Sequence, residues 1–237
     1  QIVQNSATLT GCKVQGTTNT TSALLSTNLG KIIKCTFQTT NNGDIGHSVQ
    51  ITATGTYTFD GNTFSGGGPA ERSFNTGTGV DSATDIVTTD AAHGYADGDA
   101  IYYQDQGGVV NMGLTDGTLY YVNSQTSTTL SFHTTKANAT ADTSRVNLTS
   151  SGSETHRIYS AKADVYNSSG GAVTINVTNG GGIPSIRNSD GSSTTINNTV
   201  TLTITVVDAS TNPIPLAQVA IYKTSDNTPL MNQDTAT

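Results

Sequence analysis

The residues able to do chemistry are few and far apart. Glu71 and Glu154 are the only two glutamates in the 237-residue chain, and glycoside hydrolysis ordinarily needs a pair of carboxylates facing one bond. Both sit beside turns or loops. Asp60, Asp97, Asp116 and Asp190 each precede a glycine, a spacing that serves turns before it serves acid–base chemistry. Arg72 follows Glu71, and this adjacency reads as a solvated ion pair on a loop. His47, His133 and His156 have no partner at metal-ligand spacing, and His93 belongs to a His-Gly-Tyr turn. No Gly-x-Ser-x-Gly elbow is present. Asp97-Gly-Asp99 offers oxygen ligands of the kind Ca²⁺ takes, but the rest of a calcium loop is missing. Gly180–Gly182 has no lysine after it to make a phosphate loop. No catalytic, metal or cofactor-binding residue is assigned, and the expectation is a protein that is not an enzyme and carries no cofactor.

The elements around these residues are more informative. Charged residues make up 11% of the chain and hydrophobic ones 33%, with 25 Gly, no Trp and a net charge of -7. Thr is the commonest residue at 44, against the two Glu, and this balance favours strands over helices. Ten Lys and Arg, scattered singly, leave no basic footprint for nucleic acid. No apolar run reaches the roughly 18 residues of a membrane helix. The chain starts at Gln1, so it is expected to be processed or part of something longer.

The N-terminal part repeats itself. Leu9–Val14 aligns with Ile32–Phe37, and that segment with Phe59–Phe64. The columns are Leu9/Ile32/Phe59, Cys12/Cys35/Asn62 and Val14/Phe37/Phe64. Ala23–Thr27 falls in part on Gln50–Thr54, and His47–Phe59 resembles Ala163–Ile175, with Tyr57 and Phe59 matching Val173 and Ile175. Short strands that cannot bury an apolar face alone can do so when stacked. The expected base is a β-solenoid, or parallel β-helix, over residues 1–79, with a final rung and linker over 159–198. Its expected core is Leu9, Cys12, Val14, Ile32, Cys35, Phe37, Phe59 and Phe64. Cys12 and Cys35 read as stacked core thiols, with a disulfide as the minor alternative.

Residues 80–158 read differently. Strand candidates at 85–89, 99–103, 118–122 and 128–132 are separated by turn signals at Asp97-Gly98, Gly107-Gly108 and Asp116-Gly117. This pattern suggests a small β-barrel inserted at a solenoid turn. Its tyrosines, Tyr95, Tyr102, Tyr103, Tyr120 and Tyr121, are candidates for surface contact with a glycan, although strand tyrosines also pack small cores. Residues 199–207 alternate as a half-buried strand, followed by Asp208, a turn through Asn212–Pro215, and a second alternating run over 217–222.

Three resemblances follow from these residues. The run His93-Gly94-Tyr95, Gly98-Asp99, Tyr102, Gly107-Gly108, Gly113-Leu114, Asp116-Gly117-Thr118 and Tyr120-Tyr121-Val122 resembles a small β-module of bacteriophage tail and virion proteins and of large bacterial surface proteins. Cys35–Phe37 and Gly55–Phe64 resemble β-helical stretches of phage structural proteins. The 199–237 segment is similar to the start of an Ig-like β-sandwich of the carboxypeptidase-regulatory or collagen-adhesin B type, and is too short for a complete one. The resemblance implies an all-β structural component of a phage particle: a head decoration, neck or tail fibre subunit on the virion exterior. It would be homo-oligomeric, with a trimer by analogy, and its partners would be other virion proteins and a host-surface glycan, with no nucleic acid and no membrane. The alternatives are a bacterial cell-surface adhesin or filament subunit and, behind it, a polysaccharide depolymerase.

Overall fold

Alternating apolar residues, broken at short intervals by Gly, Asn and Ser, cut the chain into strands of two to seven residues. The computed structural model describes residues 2–4, 8–16, 21–25, 31–39, 44–150, 152–198, 205–215, 217–222 and 229–234. The protein is all-β, with 47% strand and 3% helix, as the excess of Thr over Glu implies. Two compact units divide it, residues 1–200 and 201–237.

The first unit opens with three similar passes of chain. The first comprises β1 (Ile2–Gln4), β2 (Thr8–Thr10) and β3 (Lys13–Gly16). The second comprises β4 (Thr21–Leu25), β5 (Lys31–Ile33) and β6 (Thr36–Thr39), and the third β7 (Gly46–Ile51), β8 (Gly55–Asp60) and β9 (Thr63–Ser65). Equivalent strands pair in parallel, so each pass gives one strand to each of three sheets. Leu9 lies on Ile32 and Ile32 on Phe59. Val14 lies on Phe37 and Phe37 on Phe64. These are the columns read from the repeats.

The chain then leaves the stack through Gly66–Pro69 and builds an antiparallel sheet. Its strands are β10 (Arg72–Asn75), β11 (Val80–Asp81), β12 (Ile86–Thr88), β13 (Asp99–Gln104), β14 (Leu119–Ser124), β15 (Thr129–His133) and β16 (Thr155–Ser160). The order β10-β16-β13-β14-β15-β12-β11 makes a nearly closed, barrel-like sheet. Its two edges are drawn together by Asp90 N–H donating to Ser73 O (2.8 Å) and Gly79 N–H to Asn75 O (2.9 Å). The sheet begins at Arg72 rather than near residue 80, and ends at Ser160. A six-residue helix, α1 (Lys136–Ala141), follows β15; Thr135 caps its start and Asp142, in the left-handed region at φ 50°, ends it. It is far too short to cross a membrane.

The stack then resumes with β17 (Lys162–Asn167), β18 (Ala172–Thr178), β19 (Ile186–Asn188) and β20 (Ser193–Asn198). β17 lies on β7 and β18 on β8, both parallel, while β19 and β20 lie on β17 and β18. The parallel order thus continues past the barrel in two of the three sheets, while the third, β3-β6-β9, ends before it. The excursion can be accommodated because its ends meet: Gly68 N–H donates to Lys162 O at 2.7 Å, and Gly46 N–H to Ala161 O at 3.1 Å. Gly66 sits at φ +86°, and a Cβ there would stand 2.0 Å from Thr39 O. No other residue type fits so close an approach without moving the backbone.

Two registers differ from the sequence alignment. Ala23 and Leu25 pair with Val49 and Ile51, one residue from the alignment on Gln50–Thr54. Val173 and Ile175 pair with Gly55 and Tyr57, two residues from the expected match, and Val177 is the residue on Phe59. The turn between β17 and β18 is two residues longer than that between β7 and β8, which displaces everything after it.

The unit has two apolar cores. One is the interior column of the stack, with Ile32, Cys35, Phe37, Val49, Ile51, Tyr57, Phe59, Val165, Val173, Ile175 and Val177 buried, and Leu9, Cys12 and Phe64 partly buried against them. Val14 pairs with Phe37 in the ladder, and its side chain lies outside the described set. The other core fills the barrel around Phe74, Ile101, Tyr103, Val122, Leu130, Phe132 and Ile158. In the second unit, β21 (Gln218–Tyr222) and β22 (Pro229–Asp234) form an antiparallel pair, and Val207 bridges Pro213 around a turn held by Asp208. Most of the strand expected at 199–207 lies outside the described residues.

Candidate functional site

β17 and β19 are parallel neighbours, and their register sets Tyr166 beside Arg187. The barrel packs over this pair and brings Tyr102 from β13. The Arg187 guanidinium carbon lies 4.0 Å from the Tyr166 ring centre and 4.8 Å from that of Tyr102. A guanidinium is weakly hydrated for a cation and stacks well on aromatic faces. Arg187 is only 6% exposed. Its Nη1 donates to Ala161 O at 3.1 Å and its Nη2 to His47 Nδ1 at 3.4 Å. Burial first, and then the Arg187 charge, hold the His47 imidazole down to about 4; it is therefore neutral at physiological pH and accepts from the guanidinium. Burial also lowers the Arg187 pKa, and arginine stays charged regardless. Among the described residues, no carboxylate oxygen lies within 4.0 Å of it.

Beside this cation opens a cleft of about 190 Å³, lined by Tyr102, Tyr166, Arg187, Asn188, Ser189 and Asp190 among others. Asp190 stands at an exposed turn, where its Oδ1 also accepts from Gly191 N–H at 2.8 Å. A second link fastens barrel to stack here, Gln104 Nε2 donating to Asn188 O at 2.8 Å.

Two further clusters resemble catalytic relays and differ from them in geometry. Ser131 Oγ lies 3.0 Å from His133 Nε2, with Asp142 nearby. Yet Asp142 faces the same nitrogen, at 3.6 Å, while Nδ1 lies 2.8 Å from the Thr143 carbonyl. A serine relay needs its acid on the opposite nitrogen. Ser131 and His133 are also wholly buried, and Asp142 is held to about 2 chiefly by its hydrogen bonds from Arg145. In the second cluster, Tyr103 O–H lies 2.6 Å from His156 Nδ1, and His156 Nε2 lies 3.3 Å from Glu154 Oε2. Glu154 also accepts from the Val110 and Val109 amides at 3.0 and 3.2 Å, which depress its pKa. This chain of bonds pins the 105–117 loop to the barrel wall.

The two glutamates are not brought together. They lie at opposite ends of the β10–β16 ladder, about five residues or roughly 17 Å apart, beyond the roughly 5–10 Å of a glycosidase pair. Glu71 pairs with Arg157 rather than with Arg72, whose guanidinium donates to Ala92 O and Glu71 O. The carboxylates of Asp97 and Asp99 accept from the Ser124 and Ala96 amides. Among the described residues, no three of His, Cys, Asp and Glu form a metal-binding group.

The tyrosines divide. Tyr95, Tyr103 and Tyr120 are buried at 4%, 1% and 6% exposure, which corrects their reading as surface contacts. Neighbours on a strand point to opposite faces, so Tyr103 and Tyr120 enter the barrel core while Tyr102 and Tyr121 turn outward. Of the five, only Tyr102 lines the Arg187 cleft. Nothing in the sequence marks Arg187 or Tyr166, and His47 stands out there only as a histidine without a partner at metal-ligand spacing. The one signal for them was the 21-residue offset that puts β19 on β17. Cys35 is buried, Cys12 is half-buried, and both thiols are free. No family model, curated protein or solved structure matches this chain.

Proposed function

We propose that this chain is a structural, non-enzymatic component of a bacteriophage exterior, a β-solenoid that displays an inserted barrel towards its surroundings. The observation that carries the reading is the parallel register, which continues from β1 to β19 across an excursion of nearly a hundred residues. Such a column is stiff along its length because the strands of one pass are hydrogen-bonded to those of the next. In this reading, residues 2–65 and 162–198 form the solenoid, 72–160 the displayed module, and the segment from 199 the start of an Ig-like sandwich. The turn at Asp208 and the β21–β22 pair support that last assignment. Homo-oligomerisation, as a trimer by analogy, would cover the open sheet edges. The resemblance of the barrel's Gly and Tyr pattern to phage modules supplies the location, on the virion with other virion proteins as neighbours and a host-surface glycan as a contact.

Mass spectrometry and electron microscopy of particles from the native source test this. The chain is expected as a stoichiometric part of a symmetric particle, with no release of reducing sugars from host polysaccharide. Its recovery only from a cell-envelope filament would replace the reading with the adhesin alternative, and turnover of polysaccharide with the depolymerase.

A further inference from the structure

We propose that the cleft beside Arg187 is a binding site for an acidic sugar, whose carboxylate pairs with the guanidinium and whose ring hydroxyls donate to Asp190. The site would give the glycan contact of the proposed function a place and a substrate class, and it rests on that reading only for the source of the sugar.

Arg187 is buried and, among the described residues, has no carboxylate within ion-pair distance. A buried cation without a counterion is costly. The two tyrosine rings, Ala161 O and His47 Nδ1 offset part of that cost, but none of them carries a negative charge. His47 is neutral, and Arg187 lines an open cleft. A carboxylate is the ligand group whose two oxygens match a guanidinium fork. The remaining lining suits hydroxyl groups. Asp190 is exposed and has acceptor capacity beyond its bond to Gly191, and Asn188 and Ser189 add polar surface. A cation beside a carboxylate disfavours a simple dianion and favours a ligand that bears both an acid and donors, as a uronic acid does. At about 190 Å³ the cleft lies below the roughly 300–1,000 Å³ of drug-sized pockets, so it takes one sugar unit of a chain that continues into solvent. Tyr102, Tyr166 and Arg187 stand on β13, β17 and β19, so the cation and its two rings are held by strands, while Asp190 comes from the turn that follows β19.

Calorimetric and NMR titration of the full chain with D-glucuronate, D-glucose and acetate tests the proposal. Saturable binding of glucuronate is expected, with glucose and acetate each at least about tenfold weaker. Arg187→Lys, which loses the fork, should weaken glucuronate binding about tenfold or more. That variant sits in the barrel–stack junction, so its melting temperature is measured beside wild type. Asp190→Asn lies on the surface, should fold as wild type does, and should weaken glucuronate several-fold, while acetate, relieved of a neighbouring negative charge, should bind no more weakly than to wild type. Absence of glucuronate binding at millimolar concentration, equal binding of acetate, or unchanged binding by Asp190→Asn would each overturn the site. None of these outcomes depends on where the chain is mounted, so they are separate from a failure of the virion reading.

Discussion

The stack and the barrel use the same Thr-rich alphabet and solve burial in different ways. In the stack, a side chain's neighbours are its equivalents one pass away, as in Leu9/Ile32/Phe59. Polar groups at the corners form columns too. Cys12 N–H donates to Cys35 Sγ at 3.4 Å, and Cys35 N–H to Asn62 Oδ1 at 2.8 Å, so each pass satisfies the backbone of the one before. In the barrel, neighbours come from adjacent hairpin strands, and the buried polar groups His93, His133 and His156 each find a different local partner. The stack therefore stores its order in repetition, and the barrel in individual fits. A lesion in a repeating array should stay near its own pass, whereas a lesion in a nearly closed sheet around one core should spread through it.

Core truncations give the largest effect and the sharpest contrast. Phe37→Ala, in the stack, and Phe132→Ala, in the barrel, should each cost about 3–5 kcal/mol, measured by denaturant unfolding. Hydrogen exchange then separates them. Phe37→Ala should speed exchange in β5, β6, β8 and β9 and leave the barrel protected. Phe132→Ala should speed exchange across β12 to β16. Equal loosening of the barrel by both would erase the contrast.

Acid probes the two regions in succession. His47, in the stack, has its pKa lowered from 6.5 to about 4 by burial and by Arg187. The unfolded chain therefore binds a proton that the folded chain refuses. Stability from this group is complete above pH 6.5, falls as pH drops towards 4, and changes no further below that. The shift amounts to roughly 3 kcal/mol at most, and His47→Gln should flatten the slope of stability against pH in this window. The barrel answers later: Asp142, lowered from 3.8 to about 2 by Arg145, contributes stability above 3.8 that is lost as pH falls through 2. A melting curve whose decline begins only below pH 4 would contradict the assignment of His47.

Asn62→Ala should come next, at about 1–3 kcal/mol. It orphans two groups of the pass below, the Cys35 amide and the Ile32 carbonyl that Asn62 Nδ2 reaches at 2.9 Å. Asn62→Cys should cost less, because a thiol at this position repeats what Cys35 does for Cys12. If the cysteine variant is as damaging as the alanine one, the corner column is not a repeating device.

The sequence shows some of this design and hides the rest for physical reasons. The columns through Cys12, Cys35 and Asn62 are legible because unusual residues recur between alternating apolar ones. The register of Ala23–Leu25 slipped by one because three successive apolar residues give no alternation to fix the face. The offset at Val173 came from a longer turn, and turn length leaves no mark on strand pattern. Tyr103 and Tyr120 read as surface groups because a tyrosine's type does not state its face, whereas the parity of Tyr102 against Tyr103 does. Arg187 was invisible for a stronger reason. Its role depends on Tyr102, a residue of another sheet 85 positions earlier, and no local pattern encodes that meeting.

The smallest effect concerns the two cysteines, which share a column and differ in what lies around them. Cys35 Sγ accepts the Cys12 amide and reaches the Leu9 and Ile33 carbonyls at 3.5 and 3.4 Å. Its side chain is buried, and burial raises its thiol pKa. Cys12 Sγ reaches Thr10 O of its own pass at 3.5 Å and is half-exposed. Only thiolate alkylates readily, so iodoacetamide should label Cys12 well before Cys35 in the folded protein, as peptide mass mapping would show. Cys12→Ser should change stability by no more than about 0.5 kcal/mol. Cys35→Ser should cost more, because the shorter C–O bond draws the acceptor away from an amide of the neighbouring pass that has been built to a sulfur's reach. If the two substitutions cost the same, residue type rather than place in the column sets the effect, and the stack is less of a repeating array than its register suggests.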